Sequence, residues 1–201
     1  MGYQSIQGAT VVGLVCSDGV VLAAEKRVSW GRMVMSRSGK KVFQVTPGIG
    51  LAFAGLVSDM QALMREAGAY ANLFRLDNRR PIGVRAMAKL ISNMLFSRRL
   101  MPLLMETVVG GVDDEGPAIY SMDPVGSLIP DPFVTAGSGA PIAMGLVEAQ
   151  YSGDMDVEAG AELALSAIKS AVARDVASGD GVDILLIRAD GMEERSFPLK
   201  S

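Results

Sequence analysis

The sequence predicts an α+β fold in which two antiparallel sheets stack face to face and each carries a pair of helices on its outer side. Three observations lead there. Short apolar runs separated by tight Gly/Asp/Ser turns occur in two blocks. Each block is followed by two stretches whose apolar residues recur at helical spacing. The chain has 201 residues, 49% of them hydrophobic, which suits one domain with a single sizeable interior.

The elements read in order as follows. TVVGLVC (10–16) is an apolar strand, SDG (17–19) a turn, and VVLAAE (20–25) the returning strand of a hairpin. RMVMS (32–36) and KVFQV (41–45) bracket a turn around Gly39, and TPGIG (46–50) turns the chain into LAFAG (51–55). From about 58 to 76 the pattern becomes helical, with Met60, Leu63, Met64, Ala67, Ala71 and Phe74 on one face and Ser58 as expected N-cap. DNRRP (77–81) breaks that helix. A second follows through Val84, Met87, Ala88, Ile91, Met94 and Leu95 to about residue 99, and Pro102 closes it. Strands return at 107–113 and 118–123, joined by DDEG and followed by DPVG. PFVTAGSG (132–139) is a short strand with a glycine turn. Helices are expected at about 140–151 and 157–176, then SGDG, a last strand at 182–190, and a terminal MEERSFPL.

Composition narrows the chemistry. A net charge of −3 with scattered basic residues argues against a nucleic-acid partner. The absence of histidine removes Ser-His-Asp and Cys-His catalysis and most zinc hydrolase sites, so proton transfer falls to Lys, Asp, Glu, Tyr, Cys or a free amine. Cys16 is the only cysteine, which rules out an intrachain disulfide, and its place in an apolar strand marks it as a small buried hydrophobe. No run approaches the roughly 18 apolar residues of a membrane span, so no membrane partner is expected. The opening MGYQSIQG lacks the basic and apolar regions of a secretory signal, and a cytoplasmic location is expected. The thirteen methionines read as adaptable packing.

Several short patterns carry two readings each. Glu-Lys-Arg at 25–27 and Lys-Lys at 40–41 stand at strand ends. They either pair at the surface or place a lysine inside the sheet, where its lowered pKa would let it act as a base. GSG (137–139) and ASGDGVD (177–183) are either plain turns or distant loops that bring hydroxyls and carboxylates together. AGL (54–56) is either a tight turn or a glycine N–H suited to an oxyanion.

Taken together, these stretches resemble a proteasome β subunit of the archaeal kind over essentially the whole chain. ATVVGLVCSDGVVLAAEKR, the KK at 40–41, AFAG before the first long helix, GGVDDEGPAIYSMDPVGS, TAGSG and RDVASGDGVD carry the resemblance, in order and at matching separations. The resemblance implies a four-layer αββα sandwich, the N-terminal-nucleophile hydrolase fold, assembled in heptameric rings stacked with rings of α subunits. It also implies unfolded polypeptide substrates, an indirect link to a proteasomal ATPase, and neither metal nor organic cofactor. Residue by residue, Lys41 matches the family lysine, Glu25 the acidic residue and Gly55 the oxyanion glycine. Ser138, Asp175 and Ser178 match the network around the N-terminal amine and hydroxyl. Val28, Gly39, Phe43 and Phe53 fall where the family lines an apolar specificity pocket.

The departure is at the nucleophile. Family precursors are cut just before a threonine that then attacks peptide bonds. Counted back from Lys41 and Glu25 without a gap, that position holds Ala9, behind Gly8 at the cut site and a propeptide-like segment 1–8. Alanine has no hydroxyl and can neither process its precursor nor cleave a substrate. Residues 9–201 would then form one β-type domain that shapes the ring silently beside a second, active β subunit. WGRMVMS (30–36) and MPLLME (101–106) resemble a subfamily with a vacant nucleophile position. Two alternatives stand. Thr10, one residue on, would serve as nucleophile only if a bulge turned its hydroxyl back toward Lys41. An engineered Thr-to-Ala change at position 9 would give the same sequence. An α subunit is disfavoured by the short stretch before the first strand, and an unrelated amidohydrolase of the same nucleophile class by the length of the match.

Overall fold

The structure is a computed structural model and describes residues 8–31 and 33–199. The segment 1–8 therefore lies outside the described residues except for Gly8.

The chain runs β1 (Val11–Cys16), β2 (Gly19–Glu25), β3 (Val28–Trp30), β4 (Met33–Ser36), β5 (Val42–Thr46), β6 (Ile49–Gly55), α1 (Val57–Asn78) and α2 (Val84–Ser97). It continues with β7 (Met105–Asp113), β8 (Gly116–Met122), β9 (Ile129–Pro130), β10 (Phe133–Ala136), α3 (Ala140–Gln150), α4 (Val157–Val172), β11 (Gly181–Arg188) and β12 (Gly191–Pro198). One sheet has the order β10-β1-β2-β11-β12, and the other β5-β6-β7-β8-β9; every pairing is antiparallel. The α3–α4 pair covers the first sheet and α1–α2 the second, which gives the four-layer αββα sandwich.

Strand alternation explains the long apolar runs. In β1 the side chains of Val12, Leu14 and Cys16 face α3 and α4, while Val11 faces the other sheet. In β2, Val21 and Ala23 face the helices and Val20, Leu22 and Ala24 face the sheet. Both faces are covered, so neither can be polar. The helical periodicity holds as well: Met60, Leu63, Ala67 and Ala71 of α1 and Val84, Met87, Ala88, Ile91, Met94 and Leu95 of α2 form one cluster with β6 and β7. Cys16 is buried against Gly160, and burial together with nearby Asp18 and Asp156 pushes its thiol up to about 12.

The two sheets approach closely because glycines on one receive leucines from the other. A Cβ at Gly50 would lie 2.6 Å from Leu185 and 3.1 Å from Leu22, and one at Gly110 would lie 2.9 Å from both Leu22 and Val20.

Some boundaries differ from expectation. Helix α1 begins at Val57 with Leu56 at its N-cap, so Ser58 sits in the first turn and does not cap; no side chain caps this end. Helix α4 ends at Val172, not near 176, and 173–180 is a loop held by side chains. Strand β6 starts at Ile49, inside the expected turn. Strand β12 pairs with β11 along Gly191–Pro198 although its sequence is charged: it is an edge strand with largely exposed side chains, so no apolar run marked it. The short β3–β4 hairpin carries exposed Trp30, Met33 and Met35, also without the usual pattern.

Leu22→Ala is expected to cost about 2–5 kcal/mol and Gly110→Ala about 1–3 kcal/mol in urea unfolding. Because the two groups compete for one space, the double variant should fall short of the sum of the singles. Full additivity would contradict this packing.

Candidate active site

The ends of β2 and β5 bring Glu25 and Lys41 together. Both are out of water, at 0% and 1% exposure, and the Lys41 ammonium forms an ion pair with Glu25 Oε1. A buried pair is tolerable only if its remaining valences are met. They are: Glu25 Oε2 accepts from Arg27 N (2.7 Å) and Gly179 N (2.9 Å), and Lys41 Nζ also donates to the Arg27 carbonyl (2.5 Å). Burial pulls Lys41 below the ordinary lysine range, partly offset by Glu25, and the same burial pushes Glu25 up against the pull of Lys41. Burial thus works against both charges while each partner supports the other's, which leaves Lys41 easier to deprotonate than an exposed lysine, as a general base requires.

Loop 173–180 supplies a second network. Asp175 Oδ2 accepts from Ser138 Oγ (2.6 Å) and Ser178 Oγ (2.7 Å), and its Oδ1 accepts from Ala177 N. Ser178 Oγ lies 2.8 Å from Thr10 Oγ1. The single Ser178 hydroxyl hydrogen points to the carboxylate, so the Thr10 hydroxyl donates to Ser178. Thr10 is fully buried and its oxygen packs against Gly139. The β1–β2 ladder has no register shift and extends regularly through Glu25 N–H to Thr10 O (3.2 Å). The bulge that Thr10 would need as nucleophile is therefore absent from this ladder.

Ala9 has its methyl group in the inter-sheet cluster with Val11, on the face opposite Thr10's strand neighbour Val12. Its carbonyl accepts from Gly139 N (3.3 Å), with Ser138 Oγ 3.4 Å away and its hydrogen on Asp175. The turn making these contacts is itself held by Glu106, whose carboxylate accepts from Gly137 N (2.8 Å). Gly8, at φ +27°, leaves no room for a Cβ, which would stand 2.3 Å from that of Ala177.

Gly8, Lys41 and Gly55 line one cavity of about 260 Å³, with walls that include Val28, Trp30, Met35 and Val57. Gly55 has φ +141° and backs onto Leu104 and Met105, so only glycine fits. Leu56, Val57 and Ser58 bring the first turn of α1 to the same cavity, and with it N–H groups unpaired within the helix and the positive end of its dipole. A base, a positively polarised backbone and an apolar wall thus meet where the chain passes from Gly8 to Ala9. That combination suits acyl transfer to or from an extended peptide, provided a nucleophile is present.

The structure thus groups Ala9, Glu25, Lys41, Gly55, Ser138, Asp175, Ser178 and Val28 around one site. Three expected pocket residues lie elsewhere. Gly39 stands behind Val28, with no room for a Cβ, and supports the wall without lining it. Phe43 and Phe53 pack as a tilted pair, centroids 6.0 Å apart, in the cluster beneath α1 and α2, because residues 43 and 53 point to the helix side of the second sheet. Arg27, Trp30, Met35, Val57 and Glu106 have no site role assigned from the sequence, although all but Val57 stand in the stretches 25–27, 30–36 and 101–106 quoted above. For Glu106 a signal existed: a lone carboxylate in the otherwise uncharged MPLLMETVV.

Comparison with known proteins finds relatives along nearly the whole chain. The proteasome subunit family model matches residues 6–187. Proteasome subunit beta 2 of Thermofilum pendens is 48% identical over 190 residues, covering 94% of this chain and 93% of its own. Proteasome subunit beta 2 of Caldivirga maquilingensis is 49% identical over 190 residues, covering 94% and 95%. Proteasome subunit beta 1 of Staphylothermus marinus is 46% identical over 188 residues, covering 94% and 88%.

Lys41→Met would leave Glu25 buried without its cation and should cost about 3–5 kcal/mol, while Lys41→Met with Glu25→Leu should recover much of that loss. In the single variant the folded-state pKa of Glu25 rises further above its ordinary value of 4.5. The folded state then holds the extra proton, so stability falls as pH rises from that value through the raised one. Urea unfolding between acid and neutral pH should show a steeper decline than in the parent chain; a pH-independent difference would contradict the pairing.

Proposed function

The chain belongs to the proteasome subunit family, with β subunits among its relatives, and from that premise we propose that it is a catalytically silent member of the β ring of a 20S core particle. The observation that carries this reading is Ala9 itself. It follows a glycine on the cavity that Lys41 and Gly55 line, its carbonyl is gripped by the Ser138–Gly139 turn, and its side chain has no oxygen. The neighbouring Thr10 directs its hydroxyl proton to Ser178 and on to Asp175, away from the Lys41 base.

In this reading the subunit closes the ring and shapes the degradation chamber, and cutting falls to a partner β subunit. The chain would assemble with rings of α subunits and meet unfolded polypeptide inside the barrel. The rest of the machinery fits hydrolysis. A hydroxyl at position 9 would give its proton to the Lys41–Glu25 pair, with the new α-amine held by Asp175 and Ser178. The carbonyl oxygen of the attacked peptide would face Gly55 N–H and the first turn of α1, the C–N bond would break as the departing amine takes the proton back from the pair, and water would then hydrolyse the ester left at position 9.

Restoring the missing atom tests this. Ala9→Thr, in a particle whose other β subunits are catalytically dead, should lose residues 1–8 and gain peptidase activity. Lys41→Ala in the same background should remove that activity by about 10²–10⁴-fold. Thr10→Val in the parent chain should leave its N-terminus unchanged and the particle as inactive as before. An Ala9→Thr chain that assembles yet neither processes itself nor cleaves peptides would contradict the reading.

A further inference from the structure

Arg27 touches both networks of the site, and nothing in the reaction above uses it. Its backbone N–H donates to Glu25 Oε2 at 2.7 Å and its carbonyl accepts from Lys41 Nζ at 2.5 Å. Its guanidinium donates to Asp180 through Nε (2.8 Å) and Nη2 (3.4 Å), and to the Val176 carbonyl through Nη1 (3.0 Å). Those partners lie in the loop that carries Asp175 and Ser178. Gly179 also packs against the guanidinium, where a Cβ would lie 2.4 Å from Nη2, so the loop is shaped to the arginine.

Asp180 repeats the theme. It sits at φ +69°, a left-handed conformation that glycine would adopt more readily. Its carboxylate holds Arg27 on one side and Arg37, beyond the β3–β4 hairpin, on the other (3.1 Å). Arg27 and Arg37 hold its carboxyl below the ordinary aspartate range, with hydrogen bonding from Arg27 the leading cause. A side chain is thus kept in a backbone position that does not favour one, and what it does there is bind two arginines.

We infer that Arg27 and Asp180 form a positioning clamp, which holds the Lys41–Glu25 pair in register with the loop that presents Asp175 and Ser178. Neither residue is needed to touch a substrate. The clamp fixes the distance between base and network and keeps water from the pair by pressing Gly179 N–H onto Glu25. The charged groups acting on Lys41 are Glu25, Asp175, Arg27 and Asp180.

Position and charge can be separated. As a charge, Arg27 disfavours a proton on Lys41 and Asp180 favours one, so direct field effects of Arg27→Met and Asp180→Asn have opposite signs. As halves of a clamp, either loss admits water and relieves the burial that depresses Lys41, so both move its titration upward. The test is the titration of Lys41 in the full parent chain, labelled with ¹³C at the lysine ε carbons and followed by NMR. Both variants should raise the midpoint by about half a pH unit or more. Arg27→Lys, which keeps the charge but loses the fork, should fall between Arg27→Met and the parent. Opposite shifts, or none, would overturn the clamp. Should Arg27→Met fail to fold, Arg27→Lys and Asp180→Asn carry the same comparison, because direct charge predicts no shift for the former and a downward one for the latter.

A second readout rests on the proposed function. In the Ala9→Thr particle each clamp variant should lower kcat on the order of 10–100-fold with KM within about twofold, and the double variant should be no worse than the more damaged single. A change in KM alone would overturn the clamp. If Ala9→Thr is inactive by itself, the proposed function fails, while the Lys41 titration still decides the clamp.

Discussion

The buried Lys41–Glu25 ion pair constrains the arrangement of everything around it. Two charges taken out of water cost several kcal/mol each unless every remaining donor and acceptor is met. Meeting them recruits the end of β2, the start of β5 and the loop after α4, three segments distant in sequence. The sandwich makes this possible: the central antiparallel sheets place β2 beside β11 and bring β5 across from them. An apolar pair of similar volume would hold the fold at least as well, so stability does not account for keeping the charges. A lysine depressed in this way is suited to proton transfer, which in the proposed silent subunit waits on a hydroxyl at position 9.

Under the proposed reading the site around that pair is complete except for one oxygen. The Ser138–Asp175–Ser178 network is satisfied, Gly55 and the first turn of α1 face the cavity, and the chain enters past Gly8. In that reading Thr10 does not stand in for the missing hydroxyl, because strand alternation turns it toward α3, α4 and the Ser178 hydroxyl. Under the proposed reading the retained network has structural consequences of its own. It ties the start of β1, the turn after β10 and loop 173–180 into one rigid corner, which a ring subunit needs whether or not it cuts.

Much of this was legible in the sequence. Apolar runs with tight turns and helical periodicity recovered both sheets and all four helices, since burial on two faces leaves a strong signal. The same rule shows what was lost. Strand β12 has one edge free and its side chains in water, so charge hides it. Leu56 caps α1 through backbone geometry alone, which no residue type announces. Phe43 and Phe53 were assigned to the pocket by resemblance, whereas the pleat sends them beneath α1 and α2. Arg27 was visible as a charged residue beside Glu25, but its partners Asp180 and Val176 lie about 150 positions away. Such long-range contacts exist only once β2 pairs with β11.

The central claim is that Ala9 leaves this subunit without a nucleophile. The most direct measurement is the intact mass of the chain, taken from an assembled particle whose other β subunits are catalytically dead. A mass equal to the full chain, or to the chain without its initiator methionine, is what the account predicts. A mass beginning at Thr10 would mean that the chain cuts itself behind Ala9, and would make Thr10 the nucleophile.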